Sequence, residues 1–402
     1  PGWDRLYRVV GDAGKNAMIA AGYALTALVG ILLVVSLATQ VLGCLATRRF
    51  FQDQAPPPWP VVLPKVSILK PVEGASAITA VAFASLGRLD YPGELEILLG
   101  TIRREDPAVA LAAQLQAQFP GHNIRLIFAP VRGTNRKTSI MEALRQQADG
   151  ELLFFSDADV VLPPDYLRHL VPRFTPPDVG CVTCMPRGVP AASLGGRLVA
   201  LHFNFNSLPQ WMLAYRTTGI HWASGATMAV RRPVLEQLGG FTPFLNHLAD
   251  DYELGNRVSG LGLRVALPPL LLDCATAPES FRDAFRRVLR WQQTIWRARG
   301  WQSIGMLFTY PVFWALLLVA LHPLRGWAWG VAAAVAFIRS LLALGMQPAV
   351  RMPDFSRCIW GVPLVDVVGG LTCVAAFFRR TVVWAGHVYS LQPDGTLVSR
   401  SR

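Results

Sequence analysis

The sequence predicts an α/β fold, a parallel, doubly wound sheet in a water-facing domain that is joined to membrane helices at both ends. Three observations lead there. Short apolar runs alternate with helical patterns between residues 60 and 285, and long uncharged apolar stretches flank that region. The composition completes the case: of 402 residues, 52% are hydrophobic and 16% charged, with a mean hydropathy of +0.34. That is too apolar for an ordinary soluble chain and too charged in its middle for a pure membrane bundle.

The first apolar stretch runs from residue 17 to 46, through Leu25, Ile31, Leu33 and Val35, without a charge. It exceeds the apolar core of a secretory signal, and no convincing cleavage site follows, so a retained span is expected. Arg48 and Arg49 come next and place that end, with the domain after it, in the cytoplasm. The proline-rich residues 55–60 read as a stiff connector. Four apolar runs, 66–69, 95–99, 124–128 and 152–155, read as strands. Residues 108–118 and 138–148 repeat apolar positions three and four apart and read as helices. Strands alternating with helices argue for a parallel sheet covered on both faces, which binds ligands beyond the carboxyl ends of its strands.

Three further apolar segments follow, at 304–321, 327–346 and 359–378. Arg339 and Asp366 lie inside the last two, where a charge is costly, so each is expected to face a cavity or a partner, with a mutual ion pair as one reading. Four full spans starting outside would leave the tail outside too, whereas Arg379 and Arg380 favour the cytoplasm. One segment is therefore re-entrant or interfacial, or the count is smaller; Pro311 and Pro363 single out the second and fourth. The expected division is a helical N-terminal region at 1–50, an α/β domain at 51–285, an interfacial amphipathic helix at 286–303, membrane helices at 304–378 and a cytosolic tail at 379–402.

The net charge of +12 could suit nucleic acid, anionic lipid or an anionic substrate. Lysine is scarce and no lysine-rich tract appears, so nucleic acid is set aside; cytoplasmic loop bias and attraction to lipid explain the charge. The six cysteines are scattered, and Cys181-x-x-Cys184 lacks a second pair. Buried thiols in a reducing compartment, not zinc, are expected.

Three clusters carry chemistry. Asp157-Ala158-Asp159 closes the apolar run 152–155, Asp250-Asp251 follows about ninety residues later, and Arg287-Val288-Leu289-Arg290-Trp291 precedes the late membrane stretch. Carboxylates at a strand end can hold a hard divalent cation against a diphosphate. A second acid can act as general base, and paired arginines can grip phosphate while an aromatic ring stacks. Each also has a plainer reading: a polar strand exit, a helix cap, and a basic helix on anionic headgroups. Residues 201–215, with Phe203, Phe205, Trp211 and Met212 interrupted by Asn204, Asn206 and Gln210, are read as a groove for an acyl chain in preference to plain core. His221 and His247 read first as ordinary polar residues, with His221 retained as a candidate contact.

In this order the clusters resemble those of the inverting GT-A glycosyltransferases, which include cellulose and hyaluronan synthases. More narrowly, the chain resembles ceramide glucosyltransferases and their bacterial, hopanoid-associated relatives. The narrower likeness rests on Val66-Ser67-Ile68-Leu69-Lys70-Pro71, Tyr91-Pro92, Asp106-Pro107-Ala108, Ser224-Gly225-Ala226-Thr227-Met228 and Asp250-Asp251-Tyr252, and it extends over nearly the whole chain. The resemblance implies a Rossmann-like GT-A domain in which Asp157 and Asp159 bind Mg²⁺ or Mn²⁺ and the nucleotide diphosphate. It implies Asp251 as the base that takes the acceptor proton, with inversion to a β-linked product. Arg287, Arg290 and Trp291 would hold the diphosphate, with Lys70, Pro71 and Glu73 on the donor side. Gly225, Asp250, His221 and Trp291 would meet the acceptor.

The implied reaction moves one hexose from a UDP-sugar to a ceramide-type lipid hydroxyl. A hopanoid acceptor with a UDP-N-acetylglucosamine donor is the alternative, and a processive polysaccharide synthase the third reading. The implied setting is multi-pass in the lipid bilayer of a bacterial inner membrane. One departure stands out: where relatives usually carry an aspartate beyond the second strand, this chain has Arg103, with Glu105 and Asp106 the nearest acids.

Overall fold

The computed structural model describes residues 2–52, 55–384 and 387–399, with side chains from Asn16 onward. Helix α1 (Gly2–Phe50) leads into the α/β domain. There β1 (Val66–Pro71), α2 (Ala77–Leu86), β2 (Leu95–Thr101), α3 (Ala108–Gln118), β3 (Asn123–Phe128), α4 (Arg136–Gln147) and β4 (Leu152–Phe155) alternate as expected. Local chemistry sets the helix starts: the side chains of Ser76 and Asn135 accept the Thr79 and Thr138 N–H groups at the heads of α2 and α4. Every residue of β1 and β4 is buried, as suits strands covered on both faces.

Next come β5 (Val160–Val161), α5 (Tyr166–Leu170), β6 (Val179–Thr183), β7 (Met185–Val189) and α6 (Leu194–His202). A π-helical turn, Phe203–Ser207, joins α6 to α7 (Leu208–Thr218). The domain ends with β8 (Met228–Arg231), α8 (Arg232–Gln237), α9 (Asp250–Gly260), β9 (Arg264–Ala266) and β10 (Leu271–Ala275). The main sheet has the order β3-β2-β1-β4-β8-β6-β9. It is parallel from β3 to β4, as expected of those four strands, and β8, which the sequence reading did not include, runs antiparallel to both β4 and β6. Strand β8 begins at the carboxyl edge of β4, where the Asp157 N–H donates to the Gly225 carbonyl (3.2 Å), and from that edge it can only run back. A smaller sheet, β5-β10-β7, lies beside it. Leu153 and Phe155 face one hydrophobic core, Leu152 and Phe154 the other.

Helix α10 (Phe281–Arg299), capped by Ser280, is amphipathic and runs into a 3₁₀ segment, Gly300–Thr309. Then follow α11 (Pro311–Leu321), α12 (Gly326–Val350), α13 (Phe355–Cys358) and α14 (Val362–Phe378). Among the described residues three helical stretches are long and apolar enough to cross a membrane: Asn16–Phe50, Gly326–Val350 and Phe355–Phe378. The expected span at 304–321 is not one helix. Pro311 starts α11 at a position needing no N–H donor, and the chain bends by 71° there. At 11 residues α11 is roughly 16 Å long, about half a bilayer core. It nevertheless lies along α1: Gln40 donates to the Thr309 carbonyl at its start, and the Thr26 hydroxyl meets His322 Nε2 at 2.8 Å at its end.

Helix α14 is more than half covered by protein and lies beside α10, whose Gln293 donates to the carbonyls of Arg379 and Thr381 (3.1 and 3.0 Å). The charges of the two apolar helices do meet. Arg339 Nε and Nη2 face Asp366 Oδ2 and Oδ1 at 2.8 and 2.9 Å, and Nη2 also donates to the Phe205 carbonyl. This pair fastens α12 to α14 and to the π-helical turn. The segment expected as a tail is folded: β11 (Thr381–Trp384), β12 (His387–Leu391) and β13 (Leu397–Ser399) form an antiparallel sheet. It packs on Leu248, and the Leu397 N–H donates to the Asn246 carbonyl at 2.7 Å.

Candidate active site

The chain leaves β4 at Phe155 and turns at once through Ser156, Asp157 and Asp159. Lys70, at the end of β1, holds this turn from below: its ammonium donates to the carbonyls of Asp157 (2.8 Å) and Val160 (3.0 Å). Complete burial pushes the lysine down to about 8, against the pull of Asp159 and Asp157. Expected to contact the donor, Lys70 instead lies under the turn and off the cavity wall, because its ammonium is bonded to that backbone.

The second acid pair opens α9. Asp251 lies in the first turn of α9, where its Oδ1 accepts the Tyr252 N–H (2.8 Å), and Oδ2 accepts the Gly225 N–H (2.7 Å). Gly225 brings the two acid clusters together. A Cβ at that position would lie 2.8 Å from Asp157 Oδ2 and 3.3 Å from Asp251 Oδ2, so a side chain there would push the Asp157 carboxylate from its place. Burial, with Asp250 beside it, raises the Asp251 carboxyl to about 6, partly countered by Lys137. Burial and Asp157 likewise raise Asp159.

Lys137, in the first turn of α4, was not foreseen from the sequence. Its ammonium sits 2.7 Å from Asp157 Oδ1 and 3.0 Å from Asp250 Oδ2. Burial pushes this lysine down, but Asp157, Asp250 and Asp251 outweigh it and hold the ammonium above the ordinary lysine range. The signal available was a lysine at a helix start in a chain that otherwise uses arginine.

A cavity of about 600 Å³ opens on these acids. Asp157, Asp159, Gly225, Asp251, Arg287, Arg290 and Trp291 line it together, and Gln210, Thr309, Tyr310 and Thr39 of α1 line it too. Arg287 is steadied by Glu279 (Nε to Oε2, 3.2 Å). Trp291 packs on Phe203 and stacks with His202, at centroid separations of 4.5 and 6.3 Å. The segment expected as an acyl groove divides. Phe203, Gln210 and Trp211 line the cavity, whereas Phe205 and Met212 are core and Asn204 bonds both backbone groups of Gly188.

Other expected contacts lie off the cavity. His221 is exposed and pairs with the Thr218 carbonyl (3.0 Å), so its place as an acceptor contact is corrected: the turn after α7 points it to solvent. Asp250 is buried behind Asp251 and faces Lys137, not the cavity. Pro71 ends β1, and Glu73 pairs with Arg136; neither lines the cavity. Near Arg103, the buried Asp106 accepts the Gly74 N–H with both oxygens (2.9 and 3.0 Å) and the Ala108 N–H, tying together the loops after β1 and β2.

Cys181 and Cys184 are buried thiols, the former pushed up to about 12 by burial. Among the described residues no group of three or more His, Cys, Asp and Glu side chains forms a metal cage. Asp157 and Asp159 suit a hard cation that takes its remaining oxygens from a diphosphate and water.

The sequence pattern of Glycosyl transferase family 21 matches residues 28–397. Beta-monoglucosyldiacylglycerol synthase of Trichormus variabilis is 24% identical over 318 residues, or 77% of this chain and 62% of its own length. Probable glycosyltransferase YdaM of Bacillus subtilis is 25% identical over 257 residues, 62% of this chain and 58% of its own. Ceramide glucosyltransferase 1 of Caenorhabditis elegans is 24% identical over 235 residues, 57% and 49% respectively. The chain thus spans about three fifths or less of these curated relatives. Among solved structures, the mannosyltransferase PcManGT from Pyrobaculum calidifontis, in complex with GDP-Man and Mn²⁺, matches with a TM-score of 0.52 at 20% identity, covering 87% of this chain and 99% of that one. That likeness bears on the fold, which is GT-A-like.

Proposed function

Because the chain belongs to glycosyl transferase family 21, we propose that it moves one hexose from a UDP-sugar to the hydroxyl of a membrane lipid, with inversion. The observation that carries this reading is that one cavity is lined both by Asp157, Asp159 and Asp251 and by Thr39 of the apolar helix α1. A donor with a diphosphate suits the acids, and a lipid suits the apolar helix.

In this reading the Asp251 carboxylate accepts the proton of the acceptor hydroxyl. The freed oxygen forms a bond to the anomeric carbon as the bond from that carbon to the phosphate oxygen breaks, and the nucleotide diphosphate leaves with the electron pair. Attack from the face opposite the leaving group gives the β-glycolipid from an α-linked donor. The Gly225 N–H on Oδ2 aims the carboxylate, and its raised proton affinity makes it a stronger base than an exposed aspartate. Arg287 and Arg290, on the cavity wall, meet the charge that builds on the diphosphate. Asp157 and Asp159 would hold Mg²⁺ or Mn²⁺, whose charge offsets that of the diphosphate. Lys137 keeps the carboxylates from repelling one another.

The same reading orients the chain. With Arg48 and Arg49 on the cytoplasmic side, α1 crosses the bilayer, α11 climbs along it from Gln40 to Thr26, and α12 returns. Helix α14 then lies at the surface beside α10, and β11–β13 join the catalytic domain on the cytoplasmic face. Arg379 and Arg380 end where arginines are favoured, which removes the parity conflict of four full spans. A bacterial inner membrane fits this arrangement.

The test is product identification. The purified protein is incubated with a panel of UDP-sugars and with ceramide, diacylglycerol or polyhydroxylated hopanoid, and lipids are analysed by mass spectrometry. One lipid gaining one hexose is expected. A ladder of products would point to a polysaccharide synthase, and no glycolipid from any pair would refute the reading.

A further inference from the structure

Helix α10 ends beside a group of cations that the transfer reaction does not use. Gln293 of α10 donates to the backbone carbonyls of Arg379 and Thr381, which clamps the helix to the turn between α14 and β11. Arg297 stands one helical turn further along the same face. Burial and the charge of Arg380 both push the Arg297 guanidinium down, so the two cations lie in each other's field. Among the described residues, neither these two side chains nor that of Arg379 has an ion pair or hydrogen bond. Arg287 of the same helix differs, being paired with Glu279, and so does Arg339, paired with Asp366. Like charges that the fold gathers without a counter-charge repel, so the arrangement favours an anion between them. The flanking rings show what kind of anion. Trp296 packs on Phe377, with centroids 4.0 Å apart, and edge-on to Trp301 at 5.7 Å. Trp301 is 78% exposed, and Phe378, next to Arg379, is 82% exposed. A soluble phosphate needs no apolar flank. Exposed rings beside arginines suit a bilayer surface, where the rings enter the headgroup layer and guanidinium groups fork onto phosphate oxygens.

We propose that Arg297 and Arg380, with Arg379 beside them, hold the phosphate of an anionic phospholipid that is bound but not glycosylated, and that this lipid activates transfer. The site rests on the membrane orientation given above and is separate from the acceptor cavity, which none of the three arginines lines. Arg287, Arg290 and Trp291 do line that cavity, and Arg290 lies two turns back from Arg297 on the same helix. A bridging phosphate replaces repulsion between α10 and the turn after α14 by attraction, and so steadies the helix that presents those residues. Phosphatidylcholine carries a cation of its own, which the three arginines repel, whereas phosphatidylglycerol does not. The anionic surface of the cytoplasmic leaflet supplies such lipids where the cluster lies.

The experiment has two readouts. Native mass spectrometry of the detergent-purified full chain, titrated with phosphatidylglycerol or phosphatidylcholine, counts bound lipid. Glycolipid formation is measured in phosphatidylcholine vesicles with and without phosphatidylglycerol. The wild type is expected to bind phosphatidylglycerol selectively and to be stimulated by it. The double variant Arg297→Gln, Arg380→Gln should bind it about tenfold or more weakly, each arginine near the surface being worth about fivefold. It should also lose the stimulation while keeping the rate seen in phosphatidylcholine alone. Arg380→Glu supplies the missing anion from the chain itself, so it should reach the stimulated rate in pure phosphatidylcholine and ignore added phosphatidylglycerol. Equal binding of the two lipids by the wild type, or stimulation that survives in the double variant, would overturn the proposal while leaving the lipid transferase reading intact. Equal stimulation by soluble glycerol phosphate would overturn the assignment to a lipid. If no lipid is glycosylated in any vesicle, the transferase reading fails alone, and the titration decides the site: selective binding lost in the double variant supports it, and unselective binding overturns it.

Discussion

Replacing Lys137 by methionine removes one positive charge from the centre of the acid cluster while keeping the side chain's length. The ammonium lies 2.7 Å from Asp157 and 3.0 Å from Asp250, and it lowers the proton affinity of Asp251. Asp251 stands at about 6 with Lys137 present, so at pH 7 it is about nine-tenths ionised. A neighbouring cation commonly shifts a carboxylate by about 1–3 units. Without it the Asp251 carboxyl should rise to about 7–9, leaving between about one half and one hundredth of the base ionised at pH 7. The sign is fixed: the active form is the carboxylate, so activity is lost as pH falls through the raised value and recovered as pH climbs above it. The assay is kcat/KM for transfer against pH for wild type and Lys137→Met, with thermal unfolding to confirm folding. The expected result is an acid limb near pH 6 in the wild type and about one to three units higher in the variant, with rates converging at high pH. A variant whose rate falls equally at every pH, with its limb unmoved, would refute the claim that Lys137 tunes Asp251.

The remaining predictions concern single contacts. Asp251→Asn should lower turnover by about 10²–10⁴-fold while UDP still binds, as calorimetry would show; retained turnover would remove Asp251 as the base. EDTA should abolish transfer, with recovery on adding Mg²⁺ or Mn²⁺; full activity without divalent ions would exclude the metal role of Asp157 and Asp159. Gly225→Ala puts a methyl 2.8 Å from Asp157 Oδ2 and should cut transfer at least about tenfold with little change in melting temperature. Arg339→Met strands the fully buried Asp366 and should destabilise the protein in detergent by about 3–5 kcal/mol, whereas adding Asp366→Leu should restore much of the loss.

The legible parts of the fold were those where one property sufficed. Strands β1 to β4 are apolar runs buried on both faces, and helices α3 and α4 fall where apolar spacing put them. Strands β5 to β10 escaped notice because they are two to five residues long, too short to display a period. Residues 304–321 were suspect as a full span because of Pro311, and the chain bends through 71° there; hydropathy records composition and not direction, so the size of the bend was not readable. Asp157 and Asp251 could be singled out because paired carboxylates stand at a strand end and at a helix start, and the structure sets both beside Gly225. Lys137 was not, since a lone lysine in a first helical turn resembles a solvent-facing residue until the fold sets it against carboxylates from two other elements. Lys70 was placed at the right strand end, but burial sends its ammonium beneath the turn instead of into the cavity.

The sheet of β11 to β13 has a consequence for biogenesis. These strands follow every apolar helix in the chain, yet they brace Asn246 and Leu248, just ahead of the helix that presents Asp251. A chain still being made therefore has the acids before it has the strands that brace the loop ahead of α9. In the proposed mechanism, docking of β11 to β13 is the last step in fixing that loop.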